Sequence, residues 1–403
     1  LAGYVGAVNR ELAVEFLKKA FERRDRVSER ERLYLSAGYY DTVTGELDKS
    51  IETLTLWAQT YPRDWNAHDR LAAHYNIIGQ HDKALEEARE ALRLDPQQAF
   101  PYLNLAVAYA VLNRSDEAKA VCQQAVTRKL DPPELHLLLY YIAAFQGDAA
   151  AREREVAWAR GKPFEPMLLN AQADVAASTG RLEQARELSG RSIDLMLQAN
   201  LKELAAEHLA WLASAEALLG NPHQARQRAG AALAISDSAD TVRHAATALA
   251  LAGDLAQAEK LAAGLATRFP AHTLVNQRDV PTIRAAIEVQ RGNPNRAIEL
   301  LRAATPYEGG LGGRSWPTYV RGLACLRSRQ GAEATAEFQK VLARLSFPFL
   351  RRLAQLGLAR AFALAGDTSK SRQAYQDFFA AWKDADPDIP LLAQARQEYA
   401  AFK

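Results

Sequence analysis

The stretch Trp65–Pro96, WNAHDRLAAHYNIIGQHDKALEEAREALRLDP, contains the pattern that decides the fold of this chain. Its apolar and small residues recur every three to four positions, which predicts two amphipathic helices joined by a turn at Gly79. The first helix presents Leu71 and Tyr75 on one face, and the second presents a row of alanines. A proline then stops the second helix, because it cannot continue the hydrogen-bond ladder. The stretch therefore predicts one compact helix–turn–helix unit.

This unit resembles the tetratricopeptide repeat, a pair of helices of about 34 residues with large, small and proline positions at set offsets. The unit departs from that pattern at two positions, with a histidine in place of the opening aromatic residue and an alanine in place of a larger residue. The resemblance implies an all-α fold, a right-handed superhelix (α-solenoid) of stacked helix pairs. The pattern positions are filled by His68, Leu71, Ala72, Tyr75, Ala84, Ala88, Ala91 and Pro96.

The turn residue recurs along the whole chain at intervals of roughly 34 to 40 residues, which predicts about ten repeats. Glycine and asparagine suit this place, because helices commonly end in a residue with positive φ. Five positions later a small residue is expected where the paired helices cross. The turns are Gly45, Gly79, Asn113, Gly147, Gly180, Gly220, Gly253, Gly292, a position near Gly331, and Gly366. The small residues are Ser50, Ala84, Ala118, Ala185, Ala225, Ala258, Ala297 and Ser371.

The repeats divide the chain into four predicted parts. Residues 1–28 are interpreted as the end of a repeat whose start is missing, so we expect the chain to be a piece of a longer protein. Residues 29–165 form an N-terminal segment of repeats and residues 166–386 a C-terminal segment, with a bend expected at Gly161–Pro166. Residues 387–403 are expected to form a polar capping helix, which a stack of repeats needs at its end. The glycine-rich stretch Thr305–Pro317 is expected to be a mobile loop between repeats.

Composition excludes several classes of protein. Hydrophobic residues make up 48% of the chain and its net charge is only +2, so neither disorder nor nucleic-acid binding is indicated. The sequence contains no apolar run of the roughly 18 residues that a membrane helix needs, and we expect no membrane contact by this chain itself. The two cysteines lie far apart and make no disulfide framework.

Chemistry-bearing motifs are weak or absent, so we expect no catalytic residue, cofactor or metal. The glycine-rich sequence GGLGGRS at 309–315 lacks the lysine, the spacing and the preceding strand of a phosphate-binding loop. His68, His74 and His81 lack zinc-ligand spacing and sit at packing or helix-start positions. We expect Cys122 and Cys325 to be buried, unreactive thiols.

The resemblance implies that a protein or peptide partner binds in a concave groove. In tetratricopeptide proteins the second, fifth, ninth and twelfth residues of each first helix chiefly line that face. Asparagine offers a donor and an acceptor to a peptide backbone, and large apolar side chains can receive an anchor. The candidate groove residues carried over in this way are Tyr39, Asn66, Asp69, Asn76, Phe100, Leu103, Asn170 and Asp174.

Two longer stretches, Arg26–Trp65 and Phe378–Tyr399, resemble the C-terminal tetratricopeptide region of bacterial eukaryote-like serine/threonine protein kinases. The chain itself has no VAIK, HRD or DFG signature. The resemblance therefore implies a non-catalytic docking or sensing arm, linked to a kinase domain upstream. Such an arm is a soluble bacterial segment, either cytoplasmic or the extracytoplasmic part of a membrane-anchored kinase.

Similar arms also occur on bacterial transcription regulators. The alternative function is therefore a ligand- or peptide-sensing arm that controls a linked DNA-binding domain. The encoded sequence upstream of Leu1 discriminates between these two hypotheses, since it would carry either kinase motifs or a helix-turn-helix.

Overall fold

A computed structural model describes residues 10–311, 315–343 and 347–401 of the chain. These ranges contain 22 α-helices, together with 3₁₀ turns at Arg24–Arg26 and Thr305–Tyr307 and π-helical segments at Tyr39–Thr44 and Val275–Asp279. None of the helices within them is both long and apolar enough to span a bilayer.

The helices follow one another along the chain as antiparallel neighbours joined by short turns. The first half contains α1 (Arg10–Glu22), α2 (Glu29–Gly38), α3 (Leu47–Thr60), α4 (Trp65–Ile78), α5 (His81–Leu94), α6 (Ala99–Val111), α7 (Ser115–Thr127), α8 (Pro133–Gln146), α9 (Ala149–Ala159), α10 (Glu165–Ser178) and α11 (Leu182–Gln198). The second half contains α12 (Lys202–Leu219), α13 (Pro222–Ile235), α14 (Ala239–Leu251), α15 (Leu255–Arg268), α16 (Val280–Arg291), α17 (Pro294–Leu300), α18 (Trp316–Arg327), α19 (Gly331–Leu342), α20 (Pro348–Leu364), α21 (Thr368–Ala381) and α22 (Pro390–Ala400).

Ten helix pairs, from α2/α3 to α20/α21, form repeats 1 to 10, and the expected all-α solenoid is confirmed. Nine of the ten predicted turn residues have a positive φ, from 60° at Asn113 to 92° at Gly220. The ninth turn differs from the prediction. Arg329 takes the left-handed conformation there, with a φ of 60°, and Gly331 instead begins α19.

The small residues after the turns are the places where the paired helices touch. All eight predicted ones, from Ser50 to Ser371, are completely buried, and Ala334 takes the same place in repeat 9. Small side chains let the helix axes approach closely, since interaxial distance depends on the side chains at the contact. Repeat 4 is the exception, with Arg152 at that position.

The core consists of several clusters that span neighbouring repeats. A cluster that includes Tyr140, Ala159, Phe164 and Leu168 spans the bend after α9, and the boundary predicted between residues 165 and 166 stays a prediction. At the C-terminal end, α22 buries Leu391, Leu392 and Ala395 against repeats 5, 6 and 10. Each repeat therefore gains most of its burial from neighbours, as in other solenoids.

The superhelix also touches itself where one turn passes the next. The edge formed by the turns of repeats 1, 2, 3 and 5 lies against the loops that follow repeats 7, 8, 9 and 10. We call this contact the seam. Its hydrogen bonds join Gly45 to Thr273 (2.9 Å), Asn76 to Leu311 (3.2 Å), Asn113 to Ala343 (2.7 Å), Gly180 to Asp386 (3.0 Å) and Ser178 to the indole of Trp382 (3.0 Å).

Residues 305–311 of the glycine-rich loop belong to this seam, whereas residues 312–314 lie outside the described ranges. The mobility expected for this loop stays a prediction. The backbone of Gly310 packs so closely on α4 that a Cβ there would lie 1.7 Å from the Ile77 carbonyl oxygen. His81 Nε2 lies 3.0 Å from the Gly309 carbonyl oxygen. The glycines are needed because two backbones approach each other.

Replacing Ala84 with leucine should destabilise the protein by about 1–3 kcal/mol, because the larger side chain forces α4 and α5 apart. The measurement is the denaturant midpoint of unfolding followed by circular dichroism. Ala231→Leu is the matched control, since Ala231 lies on the exposed face of α13 and this exchange there costs only a few tenths of a kcal/mol. Equal midpoints for the two variants would contradict the helix crossing at Ala84.

Candidate functional site

Two neighbouring first helices, α4 and α6, bring several of the predicted groove residues together. Asn104 of α6 links them. The side-chain amide of Asn104 donates to Asp69 Oδ1 at 2.8 Å, and the backbone carbonyl oxygen of Asn104 accepts from Asn76 Nδ2 at 3.0 Å. Asn104 was not among the predicted residues. Asn104 comes one residue after the groove position Leu103, so the groove positions of the repeat did not include it.

Asp69 is the most perturbed acid of this region. Burial between α4 and α6 raises its pKa to about 6, against smaller opposing effects from the Asn104 hydrogen bond and the Arg70 charge. A raised pKa is expected when a carboxylate is removed from water without a close cation. Asp69 is therefore protonated in part near neutral pH and can act as a hydrogen-bond donor there.

The other predicted residues of α4 and α6 differ in exposure. Asn76 is fully buried, and both ends of its amide are engaged, since Oδ1 lies 3.0 Å from His81 Nδ1. Leu103 is 1% exposed and belongs to the core of repeats 2 to 4. Asn66 is only partly buried. Phe100 is 45% exposed.

The remaining predicted residues lie in repeats 1 and 5. Tyr39 begins the π-helical segment of repeat 1 and stacks on Phe21, with ring centroids 3.9 Å apart. Asp174 is buried and accepts from the backbone N–H of Phe349 at 3.4 Å, so it lies at the N-terminus of α20. The Oδ1 atom of Asn170 is buried and has no hydrogen-bond partner among the described residues.

The repeat register identifies a second cluster that the prediction did not reach. Counted back from the turns Gly253, Gly292 and Arg329, the same groove positions fall on Asp240, Arg243, Thr247, Asp279, Thr282 and Trp316. Five of these six surround one cavity of about 10 Å³, which we call the arginine cavity. Its lining residues are Arg243, His244, Thr247, Arg278, Asp279, Thr282, Trp316 and Pro317.

Ion pairs organise the arginine cavity. Arg278 Nε donates to Asp279 Oδ1 at 2.8 Å, and Arg243 Nη2 donates to Asp240 Oδ1 at 2.8 Å. Burial disfavours the charged form of Arg243, but the nearby Asp279, Asp240 and Glu207 outweigh it and raise its pKa. Burial, followed by the charge of Arg243, lowers the pKa of His244 well below its ordinary value. Arg243 is thus charged and His244 neutral at pH 7.

The three histidines singled out in the sequence have partners within the fold. His68 Nδ1 lies 2.6 Å from Glu87 Oε2, and His74 Nε2 lies 3.0 Å from the Ser50 hydroxyl. Within the described ranges, no group of three or more histidine, cysteine, aspartate or glutamate side chains is placed to hold a metal ion. Both cysteines are buried, and burial raises the pKa of Cys122 to about 12.

Comparison with known proteins supports the repeat assignment. Residues 79–139 match the family model of the tetratricopeptide repeat. No curated protein matches the chain in sequence.

Similar solved structures include yeast Tom70 (14% identity, TM-score 0.30), the TPR domain of P58(IPK) (15%, 0.28) and Naa15/Naa10 bound to HypK-THB (13%, 0.29). Each comparison covers 93% of this chain, and respectively 95%, 98% and 66% of the other chain. The fold is assigned from the ten helix pairs of the structure itself.

Asp69→Asn should change how stability depends on pH. The folded pKa of about 6 lies above the ordinary aspartate value of 3.8, so the stability that Asp69 contributes is fully present below pH 3.8. It is lost as pH rises through about 6. The thermal midpoint of the variant, relative to that of the wild type, should therefore rise between pH 4 and pH 6.

Asp95→Asn is the control of opposite sign. Hydrogen bonds from Gln98 and Gln97 lower the pKa of Asp95, so its contribution is present above pH 3.8 and is lost on acidification. Parallel pH profiles for Asp69→Asn and the wild type would show that Asp69 titrates normally.

Proposed function

We propose that this chain is a non-catalytic scaffold for protein–protein interaction, which holds a protein or peptide partner in its concave groove at repeats 2 and 3. The observation that carries the proposal is Phe100, an aromatic side chain left 45% exposed at a groove position. A large exposed aromatic group is a typical anchor point of an interface.

The polar neighbours suit a peptide. Asn66 and Asp69 occupy the groove positions of α4, beside the helix that carries Phe100. The Asn66 side chain offers one donor group and one acceptor to a peptide backbone, and the carboxyl group of Asp69 adds oxygen acceptors. The mixture of polar groups and one apolar anchor is common at transient interfaces.

The buried residues give this surface a fixed shape. Asn76 is held by hydrogen bonds and Leu103 by packing. The seam places the loop at Gly309 and Gly310 against the C-terminal end of α4. A wall that does not move reduces the entropy lost when a partner binds. We therefore place the partner site at repeats 2 and 3. Tyr39 of repeat 1 is less suitable because its ring is already stacked on Phe21.

The finer proposal is that the chain serves as the docking or sensing arm of a bacterial serine/threonine protein kinase. It rests on the resemblance of Arg26–Trp65 and Phe378–Tyr399 to that class of protein. The reading frame upstream of Leu1 tests it. A kinase domain with VAIK, HRD and DFG motifs is expected, and a helix-turn-helix domain would support the transcription-regulator alternative instead.

Site-specific photocrosslinking tests the groove. The photoreactive residue p-benzoylphenylalanine replaces Phe100 in one variant and Leu56 in the other, and each is irradiated in cells that express the full-length protein. Leu56 is the matched control because it is an exposed apolar residue (53%) on the second helix of repeat 1. We expect a discrete adduct from position 100 and none from position 56.

A competing variant completes the test. Asn66→Ala combined with Asp69→Ala should weaken the adduct at position 100 at least several-fold, because each deletes a polar contact worth about 1 kcal/mol. Adducts of equal intensity at positions 100 and 56, or an adduct indifferent to the double substitution, would count against the groove.

A further inference from the structure

A cleft of about 310 Å³ lies between α21 and the capping helix α22, at the C-terminal end of the solenoid. We call it the cap cleft. Its size is at the lower end of the range for sites that take up a small organic molecule. The residues that line it are, from the end of α21, Phe379, Trp382 and Lys383 and, from one face of α22, Leu392, Arg396 and Tyr399.

The inner wall of the cap cleft is apolar and held in place. Trp382 is 2% exposed, and its indole N–H donates across the seam to the Ser178 carbonyl oxygen. Leu392 belongs to the C-terminal core. The rings of Phe379 and Tyr399 meet edge to face with centroids 5.6 Å apart, and both side chains remain partly exposed. A wall of ordered aromatic rings favours a flat apolar group, because rings stack or meet edge-on.

The mouth of the cap cleft carries two cations without partners. Lys383 and Arg396 are both exposed, and neither forms an ion pair or a hydrogen bond with a described residue. The Tyr399 hydroxyl accepts from Gln376 Nε2 at 3.0 Å, so the hydroxyl hydrogen remains available to a ligand. Three donor groups therefore surround the apolar wall.

Nearby carboxylates do not neutralise these cations. Glu398 accepts hydrogen bonds from Arg360 Nε at 2.8 Å and from the Tyr375 hydroxyl at 2.9 Å. Asp384 follows Lys383 in the chain but does not line the cleft. The lining residues of the cap cleft therefore carry a net positive charge, which attracts an anion.

The end of α21 limits the charge of that anion. Lys383 comes directly after the last turn of α21, where the carbonyl groups give a helix its negative end. A phosphate dianion would meet this negative end, whereas a single carboxylate is matched by the guanidinium of Arg396, whose paired N–H groups fit two carboxylate oxygens.

We propose that the cap cleft binds a small aromatic carboxylate. Its ring lies against Phe379 and Tyr399 with Trp382 behind them, and its carboxylate meets Lys383 and Arg396. Burial of the ring against the apolar wall supplies the affinity, and the two cations select the charge. The site lies at the end of the solenoid, outside the groove positions of repeats 2 and 3, so it is independent of the partner site proposed there.

Nuclear magnetic resonance of the intact chain with ¹⁵N-labelled tryptophan tests the proposal with four probes at constant ionic strength. The probe 2-naphthoate supplies a ring and a carboxylate, 2-naphthamide the ring without the charge, acetate the charge without the ring, and 2-naphthyl phosphate the ring with a dianion. The indole N–H signal of Trp382, assigned with Trp382→Phe, should move saturably with 2-naphthoate, with a dissociation constant of about 1 mM or tighter. The signal of Trp316, which does not line the cleft, should stay in place.

The other probes report on charge and ring separately. We expect 2-naphthamide and acetate to bind at least about tenfold more weakly than 2-naphthoate, because one lacks the ion pairs and the other the apolar contact. Tighter binding of 2-naphthyl phosphate than of 2-naphthoate would overturn the proposal in favour of a phosphate site. No movement of the Trp382 signal with any probe would overturn it outright.

Substitutions at the mouth place the binding in the cap cleft. Lys383→Gln and Arg396→Gln should each weaken 2-naphthoate at least about threefold, since each removes one exposed ion pair, and should leave the weaker response to 2-naphthamide unchanged. Lys260→Gln, which alters an exposed lysine on α15, is the matched control and should change neither response. If both cleft variants bind 2-naphthoate as the wild type does, the two cations do not hold the carboxylate and the proposal fails.

Discussion

One small side chain at a fixed place in nine of the ten helix pairs sets the geometry of the solenoid. Ala84 and its eight counterparts are completely buried where the second helix crosses the first, and they let the two axes come close. The residue of positive φ five positions earlier turns the chain back, so that the second helix runs antiparallel to the first. Since nearly every pair repeats this arrangement, small similar rotations add up to a superhelix.

The seam is a consequence of that curvature. After about six repeats the chain returns to its own edge, and backbone groups of Gly45, Asn76 and Gly180 meet loops of the next turn. These contacts place the loop around Gly309 against the C-terminal end of α4. The proposed partner site at Phe100 and the arginine cavity then lie at groove positions of the same solenoid, several repeats apart.

Much of this architecture was predictable from local sequence. The turn residues and the buried small residues could be predicted from the spacing of Gly79 and Ala84 along the chain. A positive φ at a turn and a small side chain at a helix crossing are both requirements of the local sequence. The ninth turn was missed because Arg329 adopts positive φ without being glycine or asparagine. The arginine cavity could have been found by continuing the groove register past Asp174, since Arg243 and Asp279 fall on it.

The seam could not be predicted. Its partners are 204 to 235 residues apart, as in Ser178 with Trp382 and Asn76 with Leu311. No local pattern encodes a contact that depends on accumulated curvature. The same limit applies to the exposure of candidate residues. Asn76 and Phe100 both occupy groove positions, yet one is buried beside His81 and the other is left open to solvent.

Native-state hydrogen exchange tests the closed superhelix most directly. The backbone N–H groups of Thr273, Leu311 and Asp386 donate to Gly45, Asn76 and Gly180 across the seam. We expect the amide hydrogens of these three residues to exchange at least about tenfold more slowly than in unstructured peptides of the same sequence. Exchange at the unstructured rate, with the helices still protected, would show that the solenoid is open and would contradict the account.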